Sequence, residues 1–192
     1  MSAIPGGILK VAIYELNQNI QQIGREVNAE EIADIVMGHA MTTAVSAAAS
    51  GVLPGAGSAI AVGIAVTSTV SMYGRLARAM GVRLSNGLIR AVASAVVADV
   101  GASLAASLAA AAALSFIPGV GTLAASTLTA ITNFGCVYLA GVIFVKLAAA
   151  MGLRKMENMS EAEMKEQARK ARSGINMRQA MKEARDAYRA NC

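Results

Sequence analysis

At 192 residues the chain is long enough for one domain with a sizeable core. Its composition is 55% hydrophobic and 15% charged, with a mean hydropathy of +0.51; it departs from the ~25% charge of ordinary soluble domains and points toward a membrane. The net charge of +5 mixes both signs and comes with few aromatics, which argues against nucleic acid, and Cys136 and Cys192 form no CxxC or disulfide framework.

Residues 1–34 carry a net −3, residues 35–152 a net +4 and residues 153–192 a net +4. The 118 residues of the middle region hold only six charges: Arg75, Arg78, Arg83, Arg90, Asp99 and Lys146. Three zones follow. Residues 1–34 form an amphipathic helix and its connection, residues 35–152 are rich in the small residues that let helices pack closely in membranes, and residues 153–192 form a basic helical tail. The opening residues lack a basic segment followed by an apolar one, so no cleaved signal peptide is expected.

In chain order, Leu9, Ile13, Leu16, Ile20, Ile23 and Val27 are spaced 4, 3, 4, 3, 4, which predicts a heptad seam on a helix over 8–27. That stripe reads either as packing on the chain's own core or as an oligomer seam joining subunits, with a helix lying in the membrane interface as a third reading. Asn28-Ala-Glu-Glu31 reads as a capping box that opens a second helix ending near Leu53. A third helix runs from Ser58 to about Met80, and a fourth from Asn86 to about Phe116, with Ser85 as its cap. A fifth spans about Thr122 to Met151. The tail reads as two short helices, capped by Ser160 with Glu163 and more weakly by Asn176 with Gln179.

The breaks between these helices repeat. Pro54-Gly55-Ala-Gly57 precedes Tyr73 and then Met80-Gly-Val-Arg83, whereas Pro118-Gly119-Val-Gly121 precedes Tyr138 and then Met151-Gly-Leu-Arg154. The second copy is longer by about two helical turns at ~3.6 residues per turn, which lengthens a helix without rotating its faces. Pro and Gly reverse a chain, and the side chains around them are apolar, so each break reads as a hairpin tip built for a non-aqueous setting. The expected fold is all-α: two Ala/Gly-rich helical hairpins, four long helices in all, between an amphipathic helix and a basic tail.

Placing both tips on one side leaves nearly all Lys and Arg on the other, including Arg75, Arg78, Arg83 and Arg90 beside the lipid. The positive-inside rule puts that side and both termini in the cytoplasm. Four full spans and two hairpins turning within the bilayer both fit the segment lengths, and a soluble Ala-rich bundle is the third arrangement. His39 and Asp99 are the ionisable residues inside the apolar region. They read either as a proton or ion path, or as buried groups satisfied by Ser and Thr.

No chemistry is indicated. Gly119-Val-Gly121 lacks the preceding strand and following acid of a dinucleotide loop, no GxxxxGK[ST] occurs, and a single His argues against a catalytic triad and against most His-based metal sites. No enzyme activity and no cofactor are expected.

The twice-used PGxG, the small-residue helices around it and the following MGxR resemble the bacterial YcjF-like domain, which also occurs downstream of some Era-like GTPase domains. The resemblance covers about residues 35–152. It implies a bacterial inner-membrane helical module of unknown function that can work with a GTPase partner; this chain has no GTPase motif. The expected function is a non-enzymatic membrane-associated protein that binds lipid, forms homo-oligomers and organises or shapes the bilayer. A pore using Asp99 and His39, or a soluble self-assembling scaffold, is the alternative.

Overall fold

The computed structural model describes residues 7–21, 27–50, 57–114 and 121–191, with backbone alone at 21, 50, 57–61, 105–114 and 121–123. Among the described residues there are eight α-helices and no strand: α1 (Gly7–Gln21), α2 (Ala29–Ser50), α3 (Gly57–Ala79), α4 (Asn86–Leu114), α5 (Gly121–Met151), α6 (Leu153–Glu157), α7 (Glu161–Ser173) and α8 (Met177–Ala190).

Local signals set many of these boundaries. Asn28 Oδ1 accepts from the amides of Glu30 (3.0 Å) and Glu31 (3.2 Å) at the start of α2, and Ser85 Oγ accepts from the Leu88 amide at 3.2 Å before α4. Ser160 and Glu163 form a full capping box. Asn176 caps α8 through the amides of Arg178 and Gln179, but the Gln179 side chain turns forward to Glu183 rather than back to the cap.

The repeat has a backbone counterpart. Gly81 and Gly152, at matching places in the two Met-Gly-x-Arg copies, are the positive-φ residues of the described chain, at 67° and 75°. At Gly81 the amide bonds to Arg78 O, and Val82 N–H reaches Ala77 O at 2.8 Å. That pair of bonds ends α3 as a Schellman turn, with Val82 and Ala77 both buried. Gly152 ends α5 and caps α6, a helix the sequence reading did not foresee. Helix α3 has 23 residues and α5 has 31, in keeping with about two extra turns in the second copy.

Helix α5 is the hub and packs against each of the other seven helices. Around it α1, α2, α3, α4 and α7 adjoin in that order, and α8 lies against α5 and α1. Val36 of α2 meets Gly141, Tyr73 of α3 donates to Ala140 O at 2.9 Å and stacks on Phe144, and His39 of α2 meets Ser68 of α3. Val97 and Leu104 of α4 share a cavity with Thr132 and Cys136. These pairings run α2 and α4 in one direction and α3 and α5 in the other. Helices α2 and α4 therefore end at the same end of the bundle where α3 and α5 begin, an arrangement compatible with two hairpins.

Two glycines of α5 permit close packing. A Cβ on Gly141 would lie 2.7 Å from Val36 Cγ1, and one on Gly135 would lie 2.6 Å from Met181 Cε of α8. Gly38 of α2, in contrast, has nothing within 4 Å of that position. Val36 is β-branched and has little rotamer freedom. Gly141→Ala is therefore expected to destabilise the fold by about 1–3 kcal/mol through overpacking, whereas Gly38→Ala stabilises it by about 0.5–1 kcal/mol by removing backbone freedom. Chemical denaturation followed by circular dichroism checks both signs, and Val36→Ala in the Gly141→Ala background should restore part of the loss.

Candidate membrane-facing surface

Among the described residues three helical stretches are long and apolar enough to cross a membrane: Ala29–Ala49 of α2, Asn86–Leu104 of α4 and Ala124–Met151 of α5. Four full spans is one of the arrangements the sequence allows; α3, whose side chains are described only from Val62 on, is not among these three stretches. Burial separates the three. The α5 window is 83% buried and the α4 window 39% buried, so protein encases α5 while α4 and α2 keep an outer face.

That outer face is small and uncharged toward the end where α2 and α4 terminate. Thr42, Val45, Ser46 and Ala49 are exposed on α2, Val62, Gly63 and Thr67 on α3, and Ala98 and Ala102 on α4. Val45 is 66% exposed and Val62 is 43% exposed, large values for apolar side chains. Between Asp34 and Arg75 only His39 can carry charge near neutral pH, and between Asp99 and Lys146 there is no Asp, Glu, Lys or Arg.

The charged helices gather around the other half. Arg169 of α7 lies 3.8 Å from Asp99 of α4, and Arg172 donates to Ser103 one turn further along. Glu183 of α8 accepts from the Ile8 amide of α1 at 2.9 Å, and Tyr188 packs edge-on against Phe134 of α5. Lys146 of α5 meets Glu15 of α1 at 3.6 Å, and Asn19 donates to Ala149 O at 2.7 Å. Helices α1, α7 and α8 thus form a polar collar that reaches mid-height on α4 and α5.

The expected site residues fall into distinct places. Leu9, Ile13, Leu16, Ile20 and Val27 are buried in the chain's own core. Of the readings open for this stripe the structure shows packing on the chain's own core: one stripe of Leu and Ile packs equally well on any apolar helix, and α5 of the same chain takes it. Ile23 lies outside the described residues, as do Pro54, Gly55, Pro118 and Gly119, and Gly57 and Gly121 are described by backbone alone. Arg75, Arg78, Arg83 and Arg90 are exposed, and the Arg83 amide donates to Glu157 at 2.9 Å.

His39 and Asp99 are not brought together. His39 Nδ1 lies 3.4 Å from Ser68 Oγ, in an open groove between α2 and α3 that is lined by Thr42, Ser46, Thr67 and Ser71; its Nε2 is buried without a partner. Asp99 faces α7. Among the described residues no group of three His, Cys, Asp or Glu side chains is placed to hold a metal ion. Sequence reasoning missed the α4–α7 contact, and no local signal could have shown it, because Asp99 and Arg169 are far apart in the chain. Compared with protein-family models, with characterised proteins and with solved structures, the chain matches none.

The collar depends on helix α7 keeping its start. Glu163 accepts from Ser160 Oγ at 2.6 Å and from the Ser160 amide at 2.9 Å, and these bonds, the side-chain one foremost, hold its carboxyl below the ordinary value of 4.5. A carboxyl lowered in the folded state stabilises above its unfolded value, and that contribution is lost as pH falls through the folded one. Glu163→Ala should therefore lower Tm at neutral pH, and the gap to wild type should close as the pH drops below 4.5. Thermal melts at matched pH values check this.

Proposed function

We propose that this chain is a non-enzymatic membrane-associated protein whose uncharged end enters the bilayer to a depth limited by the collar of α1, α7 and α8. One observation carries the reading: charged helices are fastened at Asp99 and Ser103, whereas the hairpin segments themselves carry no Asp, Glu, Lys or Arg from Ile35 to Gly74 or from Val100 to Val145. From Ser103 to Leu114 helix α4 extends about 17 Å at ~1.5 Å per residue, against ~30 Å for the hydrocarbon core. Arginines of α7 held at mid-height are costly in hydrocarbon, so with the collar in place the bundle dips about one leaflet deep rather than crossing. A wedge in one leaflet displaces lipid asymmetrically, and this supports a role in organising or shaping the bilayer.

Assignment to a bacterial inner membrane, with the collar on the cytoplasmic side, follows from the positive-inside rule and the YcjF-like resemblance. A GTPase partner rests on that resemblance alone. Self-association, with the α1 seam used internally, would fall to the outer glycine-bearing faces at Gly38 and Gly63, which have open space beside them. One observation favours a second reading, a soluble helical scaffold: the most apolar helix, α5, is already covered by protein.

Liposome flotation with site-directed fluorophores separates the two. Cys192→Ser and Cys136→Ala remove the native thiols, and Val45→Cys or Arg178→Cys receives an environment-sensitive dye. On floated vesicles the Val45 label should be quenched by nitroxides carried on acyl chains, and the Arg178 label by aqueous iodide only. Protein that stays at the bottom of the gradient, or a Val45 label open to iodide, supports the soluble scaffold and overturns insertion.

A further inference from the structure

Between α3, α4 and α5 lies a hollow of about 280 Å³, walled by Val62, Ala65, Val97, Gly101, Asn133 and Cys136. It is roughly twice the ~150 Å³ apolar cavity that accepts a benzene-sized guest, and far larger than the voids of a packed interior. Gly101 creates much of it: nothing lies within 4 Å of where its Cβ would be, although glycine in the middle of a helix costs stability. The neighbouring Ala98 and Ala102 are exposed, so the hollow opens sideways beside α4.

The wall selects its occupant. No charged side chain lines the hollow. Of its polar side chains, Thr132 donates to Leu128 O at 2.8 Å and Asn133 Nδ2 to Thr129 O at 3.0 Å. Thr132 spends its hydroxyl hydrogen and Asn133 one of its amide hydrogens on their own helix, so few polar groups of the wall are left for a guest. Two of the three contributing helices, α4 and α5, are among those apolar enough to cross a membrane. The wall residues Val97, Gly101 and Leu104 lie on the opposite side of α4 from Asp99 and Ser103, which face the collar, and the rim at Ala98 and Ala102 lies between the two sides.

We propose that this hollow is a binding site for one acyl chain of a membrane phospholipid, threaded between α3 and α4 with its headgroup outside. The inference rests on the membrane-facing reading above. It makes the protein a holder of an individual lipid chain as well as a wedge, and it gives Gly101 a function that packing within the chain does not.

The test uses the full chain, stripped of lipid and titrated with two probes: a phosphatidylcholine bearing a fluorescent acyl chain, and the corresponding free fatty acid. Saturable binding of about one phospholipid chain per protein is expected. Gly101→Leu puts a side chain into the hollow; displacing even two methylenes of the guest should weaken binding roughly tenfold or more, while flotation on vesicles is unchanged. Alkylation of Cys136, which lines the hollow, should slow when the probe is bound in wild type but not in the variant. If Gly101→Leu loses its helical signal, Ala102→Leu at the exposed rim serves as the blocking variant. Equal binding by a folded blocking variant overturns the site, as does flotation of a wild type that binds neither probe. Binding of the free acid alone overturns the phospholipid assignment. Saturable phospholipid binding by a protein that does not float supports the hollow and sinks the membrane-facing reading instead.

Discussion

A helix with no polar face is stable only where something apolar surrounds it, and α5 from Thr132 to Val145 is buried at every position. The architecture answers to that requirement. Six longer helices pack around α5, and close approach at Gly135 and Gly141 lets α8 and α2 reach its backbone. Tyr73, fully buried, spends its hydroxyl on the Ala140 carbonyl, so α3 is held to the hub by a polar bond inside an apolar contact. The aromatic contacts follow the same axis: Tyr73 on Phe144, and Phe134 between Tyr138 and Tyr188.

The covering of α5 is not the same along its length. Near Lys146 the sheath includes α1, whose Glu15 and Asn19 both reach α5. Toward Thr132 it is made by α3 and α4 at the apolar hollow, with small side chains outside. Small residues are poor at burying area but good at letting backbones approach, a compromise that suits a setting where lipid supplies the apolar surroundings. The polar collar shows the opposite logic. Among its described residues helix α7 buries Met164 and Ala168 and turns Lys170 to solvent, while Arg169 and Arg172 reach α4.

What the sequence disclosed was local. Asn28, Ser85, Ser160 and Asn176 announce helix starts because a cap needs only a side chain and an amide two or three positions on. The repeat was visible because Gly81 and Gly152 answer the same backbone demand twice. Partner choice was hidden. The Leu9–Ile20 stripe has the same period whether it meets another subunit or α5, and an all-apolar helix reads the same whether lipid or protein surrounds it. Asp99 looked isolated because its partner, Arg169, belongs to a tail that is separate in sequence. Helix α6, at five residues, is too short to carry a period at all.

The placement of that tail bears on how the middle region relates to a membrane. Hydropathy alone treats α4 as a continuous apolar rod from Asn86 to Leu104, which invites a crossing. The fold divides the rod: one side at Asp99 and Ser103 is taken by Arg169 and Arg172, and the side at Gly101 opens on the apolar hollow. A full crossing by α4 would require those arginines to leave their partners or to enter hydrocarbon, and either step costs free energy that a one-leaflet dip avoids. In the proposed placement, charge on one helix limits the depth available to another. The exposed pair of Asp99 and Arg169, worth little as a stabilising bridge in water, matters more as a stop that fixes where the apolar part of the molecule begins.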